Sequence, residues 1–110
     1  MYSSINMIAQ IEVVPYLLER NILRPECVVD EDLRVIETSR RNHSFAVVRD
    51  RGPCYLIKQG IGTDRVMTVS NEAAIYQLLQ SHGEKTGLDR YFPYFYEYDS
   101  NNHILILEWV

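Results

Sequence analysis

The chain has 110 residues, 46% hydrophobic and 24% charged, with a net charge of −4. That length allows one domain with a modest core; the apolar content excludes a disordered chain, and the acidic balance argues against the basic footprint of a nucleic-acid binder. No apolar stretch approaches the ~20 residues that cross a bilayer, and Met1-Tyr2-Ser3-Ser4 lacks the basic start of a secretory signal, so the expected compartment is cytoplasmic, with neither membrane nor nucleic acid as partner.

Apolar residues at Met7, Ile8, Ile11, Val14, Leu17, Leu18 and Ile22 recur at helical spacing. Pro15 suits a first turn better than a helix interior, so it should open the second part of that helix. Asn21 can close it, and Arg24-Pro25-Glu26 reads as a turn. Residues 1–30 form a helical extension, and residues 31–110 the main lobe.

From Asp32 the pattern changes to strands. Leu33 to Thr38 is one candidate and Ser44 to Arg49 a second; Asp50-Arg51-Gly52-Pro53 turns the chain into a third, Cys54 to Gln59. Gly60, Gly62, Thr63 and Asp64 suggest a loop, and a helix is expected from about Ser70 to Ser81, with Thr68 or Ser70 as cap and Gly83 just past its end. Tyr94 to Tyr98 and His103 to Trp109 form a second hairpin around Asp99-Ser100-Asn101-Asn102. The fold class is α+β: a five-stranded antiparallel sheet with one inserted helix and an N-terminal helix.

Cys27 and Cys54 have no ligand spacing and read as small buried thiols. His43, His82 and His103 fall in separate loops or turns, so no metal site is expected. The last strand, Ile104-Leu105-Ile106-Leu107-Glu108-Trp109-Val110, is almost unbroken apolar sequence with no turn signal after it, unlike an ordinary frayed terminus.

Two charges stand out. Strand alternation puts Tyr55 and Ile57 on one face and Leu56 and Lys58 on the other. Lys58 either snorkels to water from the strand end or is held by a carboxylate and aimed at a ligand. In the following helix, positions 72, 75, 76 and 79 share a stripe that should face the sheet and carry Glu72 inward. Glu72 either complements the helix dipole from the first turn or pairs with Lys58, each charge easing the other's burial.

A strand lysine, a helical glutamate and a strand ending Leu107-Glu108-Trp109-Val110, in that order, resemble the small lobe of the protein-kinase-like phosphotransferases. The resemblance covers about residues 30–110. Ser39-Arg40-Arg41-Asn42-His43-Ser44-Phe45 has no glycine and departs from the kinase glycine-rich loop. It is more similar to the loop of the aminoglycoside-phosphotransferase and choline-kinase group, where a serine and an asparagine precede an aromatic strand residue. Arg40 and Arg41 either replace the glycine amides as phosphate contacts or are solvated turn residues.

The resemblance implies an ATP-binding lobe. Lys58 would hold the phosphates and Glu72 would orient it. Ser39 and Asn42 would lie in the covering loop, and Leu107 would be the gatekeeper. The Glu108 carbonyl and Val110 amide would meet the adenine edge. The cofactors implied are ATP and Mg, with the metal ligands and the catalytic aspartate in a large lobe missing from these residues. On that basis the chain stops at the hinge and is a fragment of an enzyme acting on a small hydroxylated acceptor, inactive alone. The alternative is a non-enzymatic module that binds a partner through its apolar face.

Overall fold

The computed structural model describes residues 7–30, 32–39, 43–86 and 92–109. A 3-10 turn, Gln10–Glu12, leads into α1, Val13–Glu19, and then α2, Pro25–Asp30. Strands β1, Arg34–Ser39, β2, His43–Val48, and β3, Cys54–Gln59, precede the long helix α3, Thr63–Thr86, and the hairpin of β4, Phe95–Asp99, and β5, Ile104–Trp109. The five strands form one antiparallel sheet in the order β1-β2-β3-β5-β4, the α+β architecture expected from the sequence.

Helix boundaries differ from the expectation for identifiable reasons. α1 is shorter than the periodic stretch because Pro15 has no N–H and is tolerated only in a first turn. The Ile8 N–H is instead taken by the Gln59 side chain at 2.8 Å. Asn21 closes α1 with φ of 61°, a left-handed helix end. Pro25 opens α2 rather than a turn, a first helical position where its missing N–H costs nothing.

The helix expected from about Ser70 begins at Thr63 and continues through Gly83. Gly62, with φ of 86°, makes the left-handed step that turns the chain directly into α3. The Val66 N–H reaches the Gly62 carbonyl at 2.9 Å. Thr68 is no cap; its hydroxyl bonds back to the Asp64 carbonyl at 2.9 Å. Gly60 brings the chain against α3, and a Cβ there would lie 2.8 Å from the Arg65 carbonyl oxygen and the Val66 Cα.

The sheet has two unlike faces. On the back, Phe45, Val47, Tyr55, Ile57, Ile104 and Ile106 pack against Ile8, Val13, Tyr16, Leu17 and Leu23, so the N-terminal segment and the lobe share one core. On the front, α3 lays Val69 and Ala73 over Phe95, Leu105 and Leu107, with Leu56, Tyr76 and Tyr98 at the margin. The stripe through positions 72, 75, 76 and 79 therefore needs correction. The row meeting the sheet runs through Val69, Ala73 and Tyr76 to Gln80, whose amide bonds both backbone groups of Phe95 on the edge strand, while Ile75 is exposed. Glu72 lies on the flank of that row.

Candidate functional site

Lys58 and Glu72 meet on the front face. Lys58 Nζ donates to Glu72 Oε1 at 2.9 Å and to Oε2 at 2.8 Å. The side chains keep 19% and 29% of their exposure, so the pair is mostly but not fully removed from water. Strand alternation puts Lys58 on this face, and α3 brings Glu72 from above. Each charge resolves the other's burial.

The register extends this into a row across the sheet. Ser44 on β2 stands opposite Lys58, and Lys58 stands opposite Leu105 on β5. A register shift between Glu37 and Ser39 brings the Ser39 backbone opposite Ser44. One pleat further, Leu56 lies between Ala46 and Leu107. Leu107 is buried with Val69 and Ala73 under α3.

Glu108 is turned to the β4 side. Its N–H donates to the Tyr94 carbonyl at 2.8 Å and its carboxylate accepts the Tyr94 N–H at 3.4 Å. Asn42 and Val110 fall outside the described residues, as do Arg40 and Arg41.

Ser44 was not singled out by sequence reasoning. It is 2% exposed, and its hydroxyl has no hydrogen-bond partner among the described residues. The signal for it was available: a hydroxyl residue two positions before Ala46 in β2 must share that residue's face.

A second polar cluster, also unanticipated, ties the N-terminal segment to the β4–β5 hairpin on the back face. Asp99 is 3% exposed. It accepts from the Tyr16 hydroxyl at 2.8 Å, Asn102 Nδ2 at 2.7 Å, the Asn101 and Asn102 N–H groups at 3.1 and 3.3 Å, and Arg20 at 3.3 Å. Arg20 also pairs with Glu97.

Burial opposes the Asp99 charge, but hydrogen bonds from Asn102 and Tyr16 and the Arg20 guanidinium outweigh it and hold its pKa below the ordinary value. Burial, then the hydrogen bond to Asp99 and its charge, push the Tyr16 phenol well above its ordinary value. Both Asp99 carboxylate oxygens are taken by the protein's own donors, which marks a structural tie.

The remaining candidates stand on different elements. His43 opens β2 rather than sitting in a loop, its Nε2 meets the Ile8 carbonyl, and its ring packs edge-on to Phe45. His82 lies on α3. Cys27 and Cys54 are free thiols, half-buried rather than fully buried; the Arg49 guanidinium reaches Cys27 at 3.2 Å and the Arg49 N–H meets Cys54 at 3.4 Å. Among the described residues no group of three or more His, Cys, Asp or Glu side chains could hold a metal ion, and no helix is long and apolar enough to cross a membrane. No protein-family model, curated protein or solved structure matches the chain.

Proposed function

We propose that this chain is the nucleotide-holding lobe of a kinase-like phosphotransferase, nearest in its pattern to the enzymes that phosphorylate small hydroxylated molecules. The observation that carries the reading is the Lys58–Glu72 pair, with both carboxylate oxygens on one ammonium. A lysine held this way presents its charge at a fixed point on the sheet, which suits a polyphosphate better than a free surface lysine would.

In this reading ATP lies under the β1–β2 connection. Lys58 donates to phosphate oxygens, Glu72 prevents Lys58 from collapsing onto the sheet, and the end of β5 meets the adenine. The acceptor hydroxyl attacks the terminal phosphorus as the bond to the ADP oxygen breaks, with the hydroxyl proton passing to an aspartate of a large lobe outside these residues. Magnesium neutralises phosphate charge when bound. The described residues do not provide a cage for it, and its ligands are assigned to that same lobe.

A second reading, an interaction module, is favoured by Met67, Ile75 and Leu78, which expose 60%, 56% and 60% of their surface on α3.

The test is a titration of the 110-residue chain with ATP and magnesium, followed by amide chemical shifts. Binding should be weak, about millimolar or about −4 kcal/mol, since one lobe supplies only part of the site. Shifts should centre on Ser44, Leu56, Lys58 and Glu72 and vanish in Lys58→Met. Absence of shifts there up to about ten times that concentration, or shifts unchanged by Lys58→Met, would refute the reading and leave the interaction module. Phosphoryl transfer by the chain alone would refute the assignment of the remaining groups to another lobe.

A further inference from the structure

We propose that Ser44 and Lys58 together form an anion subsite that receives one phosphate group, with the Ser44 hydroxyl donating to a phosphate oxygen. This deepens the nucleotide reading above and rests on it for the identity of the ligand, though not for its chemistry.

The first observation is the Ser44 hydroxyl itself. It is buried and has no hydrogen-bond partner among the described residues, a state that costs about 1–3 kcal/mol for a group taken out of water. Ala46, its neighbour on the same face, is 1% exposed and fills its position with no such penalty. A buried hydroxyl with no partner among the described residues calls for an explanation, and a bound ligand supplies one.

The second observation is the ammonium opposite. Lys58 has three N–H donors, and two are committed to Glu72. The register places Ser44 and Lys58 directly across from each other on β2 and β3. Opposed side chains in an antiparallel pair stand about 4.5–5.5 Å apart at Cβ. No bond joins them. The two residues therefore stand side by side on the front face, each with a donor hydrogen not taken by the described residues.

Two donors on facing residues of neighbouring strands suit a ligand made of closely spaced acceptor oxygens. A phosphate group has that character, and its charge complements the ammonium. Glu72 sets the polarity of the arrangement: its charge faces Lys58 from the α3 side, so an anion is accommodated on the β2 side, where Ser44 stands. Phosphate oxygens could come from a nucleotide or from free polyphosphate, and the two sources are separable.

The experiment uses the full chain as wild type, Ser44→Ala and Ser44→Thr, titrated with ATP, adenosine and inorganic triphosphate, with thermal unfolding of each unliganded protein alongside. Ser44→Ala should unfold at the same temperature as wild type or higher, since an unsatisfied hydroxyl has been removed. It should bind both ATP and inorganic triphosphate about tenfold more weakly, the loss of one hydrogen bond to a charged group. Adenosine binding should be unchanged, and Ser44→Thr, which keeps the hydroxyl, should retain at least part of the triphosphate affinity.

Equal triphosphate affinity in wild type and Ser44→Ala, or no triphosphate binding by wild type, overturns the subsite. A loss of adenosine affinity equal to that of ATP also overturns it, since the effect is then general. The subsite and the nucleotide reading fail separately. Triphosphate binding lost in Ser44→Ala, with ATP bound no better than triphosphate, supports the subsite and removes the case for a nucleotide. ATP binding that depends on Lys58 and is indifferent to Ser44 does the reverse.

Discussion

The Lys58–Glu72 contact can be weighed directly with a double-mutant cycle of Lys58→Met, Glu72→Gln and the double variant. Fully exposed ion pairs contribute about 0.2–1 kcal/mol, and removing one partner of a fully buried pair costs about 3–5 kcal/mol. With side chains 19% and 29% exposed, and both carboxylate oxygens on one ammonium, this pair lies between those limits. Each single variant should lose about 1–2 kcal/mol, and the coupling energy should be about 1 kcal/mol, above the ~0.5 kcal/mol scatter of independent sites.

The two losses should be unequal. Lys58→Met keeps an apolar stem beside Leu56 and leaves a carboxylate on the more exposed partner, whereas Glu72→Gln leaves an ammonium on a mostly apolar face. Urea unfolding followed by far-ultraviolet circular dichroism measures all four corners. A shift of 1 kcal/mol corresponds to about 4 °C in Tm at this chain length. Additive singles, with coupling indistinguishable from zero, would refute the argument that each charge offsets the other's burial.

Gly60→Ala should destabilise by about 1–3 kcal/mol, because its Cβ would lie 2.8–2.9 Å from backbone atoms of Arg65 and Val66 rather than from a movable side chain; wild-type stability in urea would contradict that close approach. Stability should also fall in acid. Asp99 is held below its ordinary 3.8 in the fold, so its contribution is present above about pH 4 and is lost as pH drops through the depressed folded value. Asp99→Asn should flatten that limb, and an unchanged acid slope would count against it. At the other end Tyr16 is raised above its ordinary 10.0, so its contribution is full below pH 10 and fades above as the unfolded phenol ionises. Tyr16→Phe should remove that alkaline loss.

Strands were legible in the sequence because their period is short and their ends carry turn chemistry. Asp50-Arg51-Gly52-Pro53 and Asp99-Ser100-Asn101-Asn102 bracket runs whose alternation matches the observed faces, including Lys58 opposite in direction to Ile57. Helix limits were less legible, since Gly62 reads equally as loop or as the last step before a helix, and only the Val66 N–H on its carbonyl decides. The orientation of α3 was missed at Ile75 for a related reason: a helix with apolar residues on several sides leaves the packing sheet to choose the face. Lys58 and Glu72 were found because a charge on an apolar stripe is conspicuous. Ser44 and the Asp99 cluster were not, because a serine in a strand and an aspartate in a turn are ordinary until burial and partners are known.

The front of the sheet can hold charge because the back fixes its register. β3 alternates between the two duties at adjacent residues, with Lys58 facing α3 and Gln59 facing the N-terminal segment. Gln59 is 1% exposed. Its amide oxygen accepts the Ile8 N–H at 2.8 Å and its amide nitrogen donates to the Asn102 carbonyl at 3.0 Å. These bonds tie the start of the chain to the β4–β5 turn through the residue next to Lys58, and Tyr16, Arg20 and Asp99 repeat the tie farther along. A slip of one residue in β3 would turn Gln59 to the front, bury Lys58 among Phe45 and Ile104, and break both ties at once. The placement of Lys58 opposite Ser44 and beneath Glu72 therefore depends on polar contacts on the opposite face, and the N-terminal segment is part of what positions the site.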